Sequence, residues 1–66
     1  MDSRKIGERL IMLRGEKTQE EVAKATGIAQ ESISFYENGK RIPSDDAKIK
    51  LAEYYGVTVQ SIFFEE

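Results

Sequence analysis

The 66-residue sequence contains no cysteine and no histidine. These absences exclude disulfides, thiolate or imidazole metal sites of the usual kind, and catalysis by a histidine general base. A chain of this length removes only about 60% of its unfolded surface from water. Its stability must therefore come from closely packed helices, which a partner subunit would supplement. We expect no metal and no cofactor.

Long apolar runs are also missing. No run reaches the roughly 18 to 20 residues that cross a bilayer, and the charged N-terminal residues Asp2, Arg4 and Lys5 precede no apolar segment. We therefore expect a soluble cytoplasmic protein without a membrane partner. The only proline is Pro43, and no low-complexity segment, long linker or repeat is present. Residues 1–66 are predicted to form one domain.

The charge balance is slightly acidic. Ten Lys plus Arg against twelve Asp plus Glu give a net charge of −2. Proteins that bind nucleic acid are often strongly basic, so a surface of that kind must here arise from local charge segregation. Acidic residues are concentrated in the C-terminal third, whereas the segment Asn38 to Arg41 is polar and basic. A local anion-binding surface is therefore compatible with the net charge.

Apolar spacing and capping residues predict helices and no strand. Ser3 is the expected cap of a first helix over residues 4–14. Thr18 to Glu21 fits a capping box for a second helix, which ends before Gly27 because glycine tolerates the left-handed conformation of a helix stop. The residues expected inside these two helices are Ile6, Leu10, Leu13, Val22, Ala25 and Ala23.

Three further helices follow. After the turn residues 26–28, a third helix is predicted over residues 29–37. Ser44 caps a fourth helix over residues 45–55. Carboxylates in its first turn interact favourably with the positive end of the helix dipole. Thr58 caps a short fifth helix. The inner side of the fourth helix is expected to carry Ile49, Ala52 and Tyr55, with Leu51 nearby. The fifth helix contains Val59, Ile62 and Phe63.

The spacing between Gln19 and Asn38 is the most informative part of the chain. Two helices joined by three residues at a steep angle need a small residue where their backbones approach and a glycine in the turn. Ala23 and Gly27 are placed for these tasks. The joint pattern is Gln19, Ala23, Gly27, Ile33 and Tyr36, followed by Glu37-Asn38-Gly39-Lys40.

On these residues the chain resembles the Cro and repressor family of helix-turn-helix proteins. The resemblance runs from Ile6-Gly7-Glu8-Arg9-Leu10 to Gly56-Val57-Thr58-Val59 and is strongest in Gln30 to Lys40. It implies an all-α, five-helix lambda-repressor-like domain whose helices 2 and 3 form the helix-turn-helix. It also implies a homodimer and transcriptional control, with repression as the expected mode, through the major groove of double-stranded DNA.

The sequence departs from the family pattern at three places. The connection over residues 14–18 is about two residues short, which puts the family's ion pair, here Arg14 with Glu37, in doubt. Ala29 stands where Ser or Thr often caps the recognition helix, a loss of about 1 kcal/mol. Asp45 and Lys48 replace apolar residues, which predicts a thinner core at the start of the fourth helix.

The third helix has a predicted outer face. A rotation of about 100° per residue separates its outer side from an inner side that holds Ala29, Ile33 and Tyr36. The plainer interpretation of the outer side is an ordinary solvated helix face, but the resemblance favours a DNA-contacting surface. The expected base-reading residues are Gln30, Glu31, Ser34 and Phe35, and the expected phosphate-binding residues are Gln19, Asn38, Lys40 and Arg41.

Other apolar and charged residues suggest contacts outside that face. The fifth helix carries too many apolar side chains to hide alone, which predicts a dimer interface. Arg9 and Arg14 are expected to be structural ion-pair partners, whereas Ile11 and Met12 lie off the apolar stripe of the first helix and belong either to the core periphery or to a partner surface. The expected dimer-interface residues are Val57, Val59, Ile62, Phe63 and Phe64.

Two alternatives to a transcriptional repressor stay open. One is a controller protein of a restriction-modification system, which resembles the same pattern. The other, from a different class, is a protein-interaction module of antitoxin-like or coactivator-like type, supported by the negative net charge and the off-stripe apolar residues. An enzyme is not expected, because no carboxylate, lysine or serine is placed beside a base in a cleft.

Overall fold

The computed structural model of the chain describes residues 1–64, and within them it contains helices and no strand. The helices are α1 (Ser3–Arg14), α2 (Gln19–Thr26), α3 (Gln30–Glu37), α4 (Asp45–Tyr55) and α5 (Val59–Phe63). The all-α, five-helix expectation is confirmed, and the helix boundaries agree with the predicted ones to within about one residue.

Side-chain caps determine where the helices begin. Thr18, Ser44 and Thr58 each accept a hydrogen bond from the backbone N–H three residues further on, at 3.0 to 3.2 Å, as the sequence predicts. The cap expected for α1 is wrong. Asp2, and not Ser3, accepts hydrogen bonds from two first-turn backbone N–H groups, the nearer at 2.9 Å, so α1 begins one residue earlier. These hydrogen bonds hold the pKa of Asp2 below its usual value.

One cluster of buried apolar side chains receives residues from every helix. α1 packs mainly against α3, and α5 lies across α1 and α4. Partly buried residues, among them Leu13, Ala23 and Ile28, surround this core. The buried members are Ile6, Leu10, Val22, Ile33, Tyr36, Ala47, Leu51, Ala52, Ile62 and Phe63.

Two residues expected to be buried are exposed. The side of α4 that faces the core carries Ala47, Lys48, Leu51 and Ala52, so the intervening Ile49 points outward and is 51% exposed. Ala25 lies at the rim of an open depression between α2 and α4, where solvent reaches it. Both residues were expected to be buried because they are apolar, but the rotation of each helix about its axis leaves their side chains open to solvent.

Lys48 is one of the two polar residues, with Asp45, that were expected to thin the core. It is only 9% exposed, and its Nζ lies 5.8 Å from the Phe63 ring centroid and 5.2 Å from that of Phe64. Its ammonium is also 3.8 Å from Asp45 Oδ1. The aliphatic stem of Lys48 therefore takes the place of an apolar residue, while its charge stays near the rings and the carboxylate.

Gly7 marks the closest approach of α1 to α3. A Cβ at this position would collide with the backbone carbonyl oxygen of Glu37 and lie 2.9 Å from that of Tyr36. Any side chain at residue 7 would push the two helices apart. None of the helices described over residues 1–64 is long and apolar enough to cross a membrane.

Candidate nucleic-acid interface

A hydrogen-bonded turn joins α2 to α3. Gly27 ends α2 in the left-handed region with φ 77°, and its N–H donates to the Ala23 carbonyl at 2.9 Å. The Thr26 hydroxyl donates to the Val22 carbonyl at 2.7 Å and accepts from the Ile28 N–H at 3.2 Å. The turn therefore comprises residues 27–29, one position later than predicted, and the helix-turn-helix is formed as expected.

The outer face of α3 is open to solvent. Ile33 and Tyr36 anchor the helix in the core, whereas Gln30 and Glu31 are exposed and Ser34 is half-buried. This arrangement agrees with the predicted rotation of the helix.

Ala29, which was assigned to the inner side of α3, is exposed because it precedes the first helical turn. It makes no side-chain cap hydrogen bond, so the start of α3 lacks the stabilisation that Ser or Thr would provide there.

A buried carboxylate connects α1, α2 and α3. Glu37 is nearly inaccessible, and its carboxylate accepts from Arg14 Nε at 2.7 Å and from Arg14 Nη2 at 3.0 Å. It also accepts from Gln19 Nε2 at 2.9 Å. We call these three residues the Glu37 network. The hydrogen bond to Glu37 raises the pKa of Arg14, so its guanidinium stays charged.

The Glu37 network contains the ion pair that the short connection before α2 had put in doubt. The ion pair of Arg14 with Glu37 forms although the connection over residues 14–18 is short. Arg14 Nη1 also donates to the Lys17 carbonyl at 2.8 Å, which attaches this connection to α1. The same network fixes the amide of Gln19 at the first residue of α2, beside α3.

The segment after α3 folds back over the end of that helix. The Lys40 N–H donates to the Phe35 carbonyl at 2.9 Å, and Asn38 Nδ2 donates to Ser34 Oγ at 3.3 Å. The Arg41 guanidinium carbon lies 4.7 Å from the centroid of the half-buried Phe35 ring. The sequence contains no local signal for this contact, because Phe35 and Arg41 are six residues apart and only the tight exit turn brings them together.

Arg4 is a candidate phosphate-binding residue that the sequence reasoning missed. A Cβ on Gly39 would lie 3.3 Å from the Cα of Arg4, so the exposed start of α1 adjoins the segment that carries Lys40 and Arg41. Arg4 therefore adds a third cation to this end of the face. Helix packing alone creates this proximity.

The residues predicted to form the dimer interface are not all available to a partner. Ile62 and Phe63 are each 1% exposed within the single chain, so the expectation that α5 cannot hide them is wrong. Val57 and Val59 are half-buried, and Phe64 is 55% exposed. Ile62 and Phe63 are buried because α1 and α4 both pack against α5.

Two predictions about α1 have different outcomes. Arg14 forms the expected ion pair, and Arg9 Nη1 donates to the Ile62 carbonyl at 2.8 Å, which ties α1 to α5. Ile11 and Met12 are exposed, Met12 by 81%. They therefore lie on the surface and not in the core.

Comparison with known proteins agrees with this geometry. A family model described as helix-turn-helix matches residues 9–62. An uncharacterized HTH-type transcriptional regulator of Methanocaldococcus jannaschii is 39% identical over 49 residues, which cover 74% of this chain and 74% of the relative. Another from Archaeoglobus fulgidus is 42% identical over 50 residues, covering 74% and 70% respectively. No solved structure matches the chain significantly. The chain belongs to the Cro and repressor type of helix-turn-helix family, whose members are DNA-binding transcriptional regulators.

Proposed function

We propose that the chain is a sequence-specific repressor that binds a near-palindromic operator in the major groove as a homodimer. The observation that carries the proposal is the open face of α3 between two groups of hydrogen-bond donors. One group is the Gln19 amide at the start of α2, and the other is the cationic segment after α3. Family recognition helices enter the groove in this orientation, with phosphate contacts on both sides.

Gln19 is suited to bind a phosphate because the Glu37 network already orients it. The Gln19 amide nitrogen has two N–H donors, and one of them donates to Glu37 Oε1. The second N–H, together with the free backbone N–H groups of the first turn of α2, is left for a phosphate oxygen. Holding the side chain in place before binding reduces the entropy lost on contact.

The segment after α3 would bind the phosphates on the other side of the groove. Asn38 and Lys40 are exposed at the end of α3, and Arg4 lies beside them at the start of α1. These donors contact the DNA backbone without reading sequence, and each phosphate that a cation neutralises steepens the salt dependence of binding. The clustered cations compensate locally for the negative net charge of the chain.

Base reading is assigned to the first half of α3. Gln30 is exposed in the first turn, and its amide matches adenine N7 and N6 as a bidentate pair. Glu31 only accepts hydrogen bonds, so the cytosine amino group is its favourable partner, and its charge lowers affinity for all DNA. Ser34 follows one turn later. A set of side chains that contains both an attractive group, Gln30, and a group that repels the DNA backbone, Glu31, favours selectivity over affinity.

A dimer through the α5 end would place two recognition helices about one DNA turn, roughly 34 Å, apart. The exposed Phe64 and the half-buried Val57 and Val59 would supply the apolar surface. Sedimentation of Phe64→Asp should show a monomer at concentrations where the wild-type chain is a dimer. Met12→Asp removes an even more exposed apolar residue from α1 and should stay dimeric. A wild-type monomer both with and without operator would refute the dimer.

Selection of bound duplexes from a random-sequence pool tests the function. The expected result is a near-palindrome, and transcription in vitro should fall when this site overlaps a promoter. With Gln30→Ala, the preference for the native base pair should fall by about 1 to 3 kcal/mol at one half-site position. The base preferences at all other positions should stay unchanged.

The protein-interaction alternative rests on the exposed Ile11 and Met12. Electrophoretic shifts with random duplex at low and moderate salt separate the two classes. A DNA-binding protein should shift random duplex at low salt and release it as the salt concentration rises. Absence of any shift, together with an unenriched pool, would favour an interaction module.

A further inference from the structure

The segment that carries Arg41 contacts Phe35 at two points. The Arg41 guanidinium carbon lies 4.7 Å from the ring centroid, and the neighbouring Lys40 N–H donates to the Phe35 carbonyl at 2.9 Å. The side chain and the backbone of this segment are thus both attached to the same residue of α3. A cation stacked on an aromatic ring loses much of the rotational freedom that an exposed arginine otherwise has.

Phe35 lies on the base-reading side of α3, four residues and about one turn after Glu31. A guanidinium stacked on this ring therefore lies over the recognition helix and not at the outer margin of the exit segment. Phe35 itself has no group that can form a hydrogen bond with a base edge. Arg41 covers the ring and brings hydrogen-bond donors to the position that Phe35 occupies.

The N–H donors of Arg41 remain available to a ligand. A guanidinium that stacks on a ring presents its face to that ring, whereas its five N–H groups lie in its plane and stay clear of the contact. Within residues 1–64 no hydrogen bond or ion pair engages them. A planar fork of this kind matches guanine O6 and N7 in the major groove, the commonest specific contact of arginine with DNA.

We propose that Arg41 reads a guanine in the major groove and that Phe35 is its positioning residue. This inference rests on the proposed function and changes the expected role of Arg41 from phosphate binding to base reading. The specificity surface then comprises two parts, the start of α3 with Gln30 and Glu31, and the stacked pair of Phe35 with Arg41. The second part reads a G·C pair further along the half-site.

The experiment uses the operator selected by the full wild-type chain. Dissociation constants are measured for the wild type and Arg41→Ala while each base pair of one half-site is replaced in turn. Arg41→Ala should lose roughly tenfold to a hundredfold of the discrimination at one G·C pair and retain the ratios at all other pairs. Lys40→Ala is the matched control from the same segment. It should weaken binding to every duplex equally and reduce the salt slope by about one unit.

Two further variants test the positioning role of Phe35. Arg41→Lys keeps the charge but has no planar fork, so it should preserve the salt slope and lose discrimination at the same G·C pair. Phe35→Leu keeps apolar packing but removes the ring, and should lose discrimination at that pair as well. Phe35→Tyr keeps the ring and should retain the discrimination at that G·C pair. A merely structural role for Phe35 would not change the preference at a single base pair.

Two results would overturn the inference, and they are distinguishable. If Arg41→Ala weakens all duplexes equally and lowers the salt slope by about one unit, Arg41 binds a phosphate and only this inference fails. If the wild-type chain shows no preference at any base pair, the proposed function fails, and the assignment of Arg41 fails with it.

Discussion

Replacement of Gly7 by alanine tests the close packing of α1 on α3, and two physical effects oppose each other there. In a helix interior alanine is about 1 kcal/mol more favourable than glycine, so helix propensity alone predicts stabilisation. In the folded chain, the added Cβ would collide with the Glu37 carbonyl oxygen and lie 2.9 Å from that of Tyr36. Main-chain atoms cannot avoid the collision by changing rotamer, so α1 must move away from α3.

The steric effect is the larger of the two. Extra atoms forced into a filled core typically cost about 1 to 3 kcal/mol, and the upper end applies because both obstructing groups are backbone carbonyls. Subtracting about 1 kcal/mol of improved propensity leaves a net destabilisation of about 2 kcal/mol. For a domain of this size, about 4 to 8 °C per kcal/mol converts this loss to a melting temperature lowered by roughly 8 to 16 °C.

Thermal and urea unfolding followed by circular dichroism measures this change. Glu8→Ala is the matched control, because Glu8 is the next residue of α1 and is exposed. Its free energy of unfolding should change by less than about 0.5 kcal/mol. A Gly7→Ala chain that is as stable as the wild type, or more stable, would refute the close approach of α1 to α3.

Three other changes follow from the same structure. Ala29→Ser should add the missing cap of α3 and raise the free energy of unfolding by about 1 kcal/mol in urea titrations; no gain would mean that residue 29 cannot cap. Glu37→Gln removes the charge that pairs with the partly buried Arg14 and should cost about 2 kcal/mol, whereas Glu20→Gln, at an exposed pair, should cost less than about 0.5 kcal/mol; equal losses would contradict the structure. Burial raises the pKa of Tyr55 from 10.0 to about 12. The contribution of the neutral phenol to the free energy of unfolding is therefore complete below pH 10 and is lost as the pH rises towards 12. Relative to Tyr55→Phe, the wild type should lose about 1 kcal/mol over this range, after allowance for solvent screening, and parallel pH profiles would argue against the shift.

Local spacing was enough to predict the helices and, to within one residue, the turn between α2 and α3. Thr18, Ser44 and Thr58 cap helices because their hydroxyls reach a backbone N–H three residues away, within the same segment. Gly27 ends α2 in the left-handed conformation, which a glycine adopts without steric cost and without help from a distant residue. The outward direction of Gln30 follows from helical rotation once Ile33 is assigned to the core. These features depend on neighbours along the chain, which the sequence contains explicitly.

Tertiary packing decided the features that join distant residues. Whether Gly7 tolerates a methyl group depends on the backbone of α3, and whether Ile62 is buried depends on α1 and α4. The stacking of Arg41 on Phe35 depends on how the exit segment folds back. Apolar periodicity states which side of each helix prefers burial, but not how far a neighbouring helix covers that side. The all-α class was therefore readable from local patterns and the lambda-repressor-like fold from the family resemblance, whereas the composition of the DNA-facing surface required the positions of the helices relative to one another.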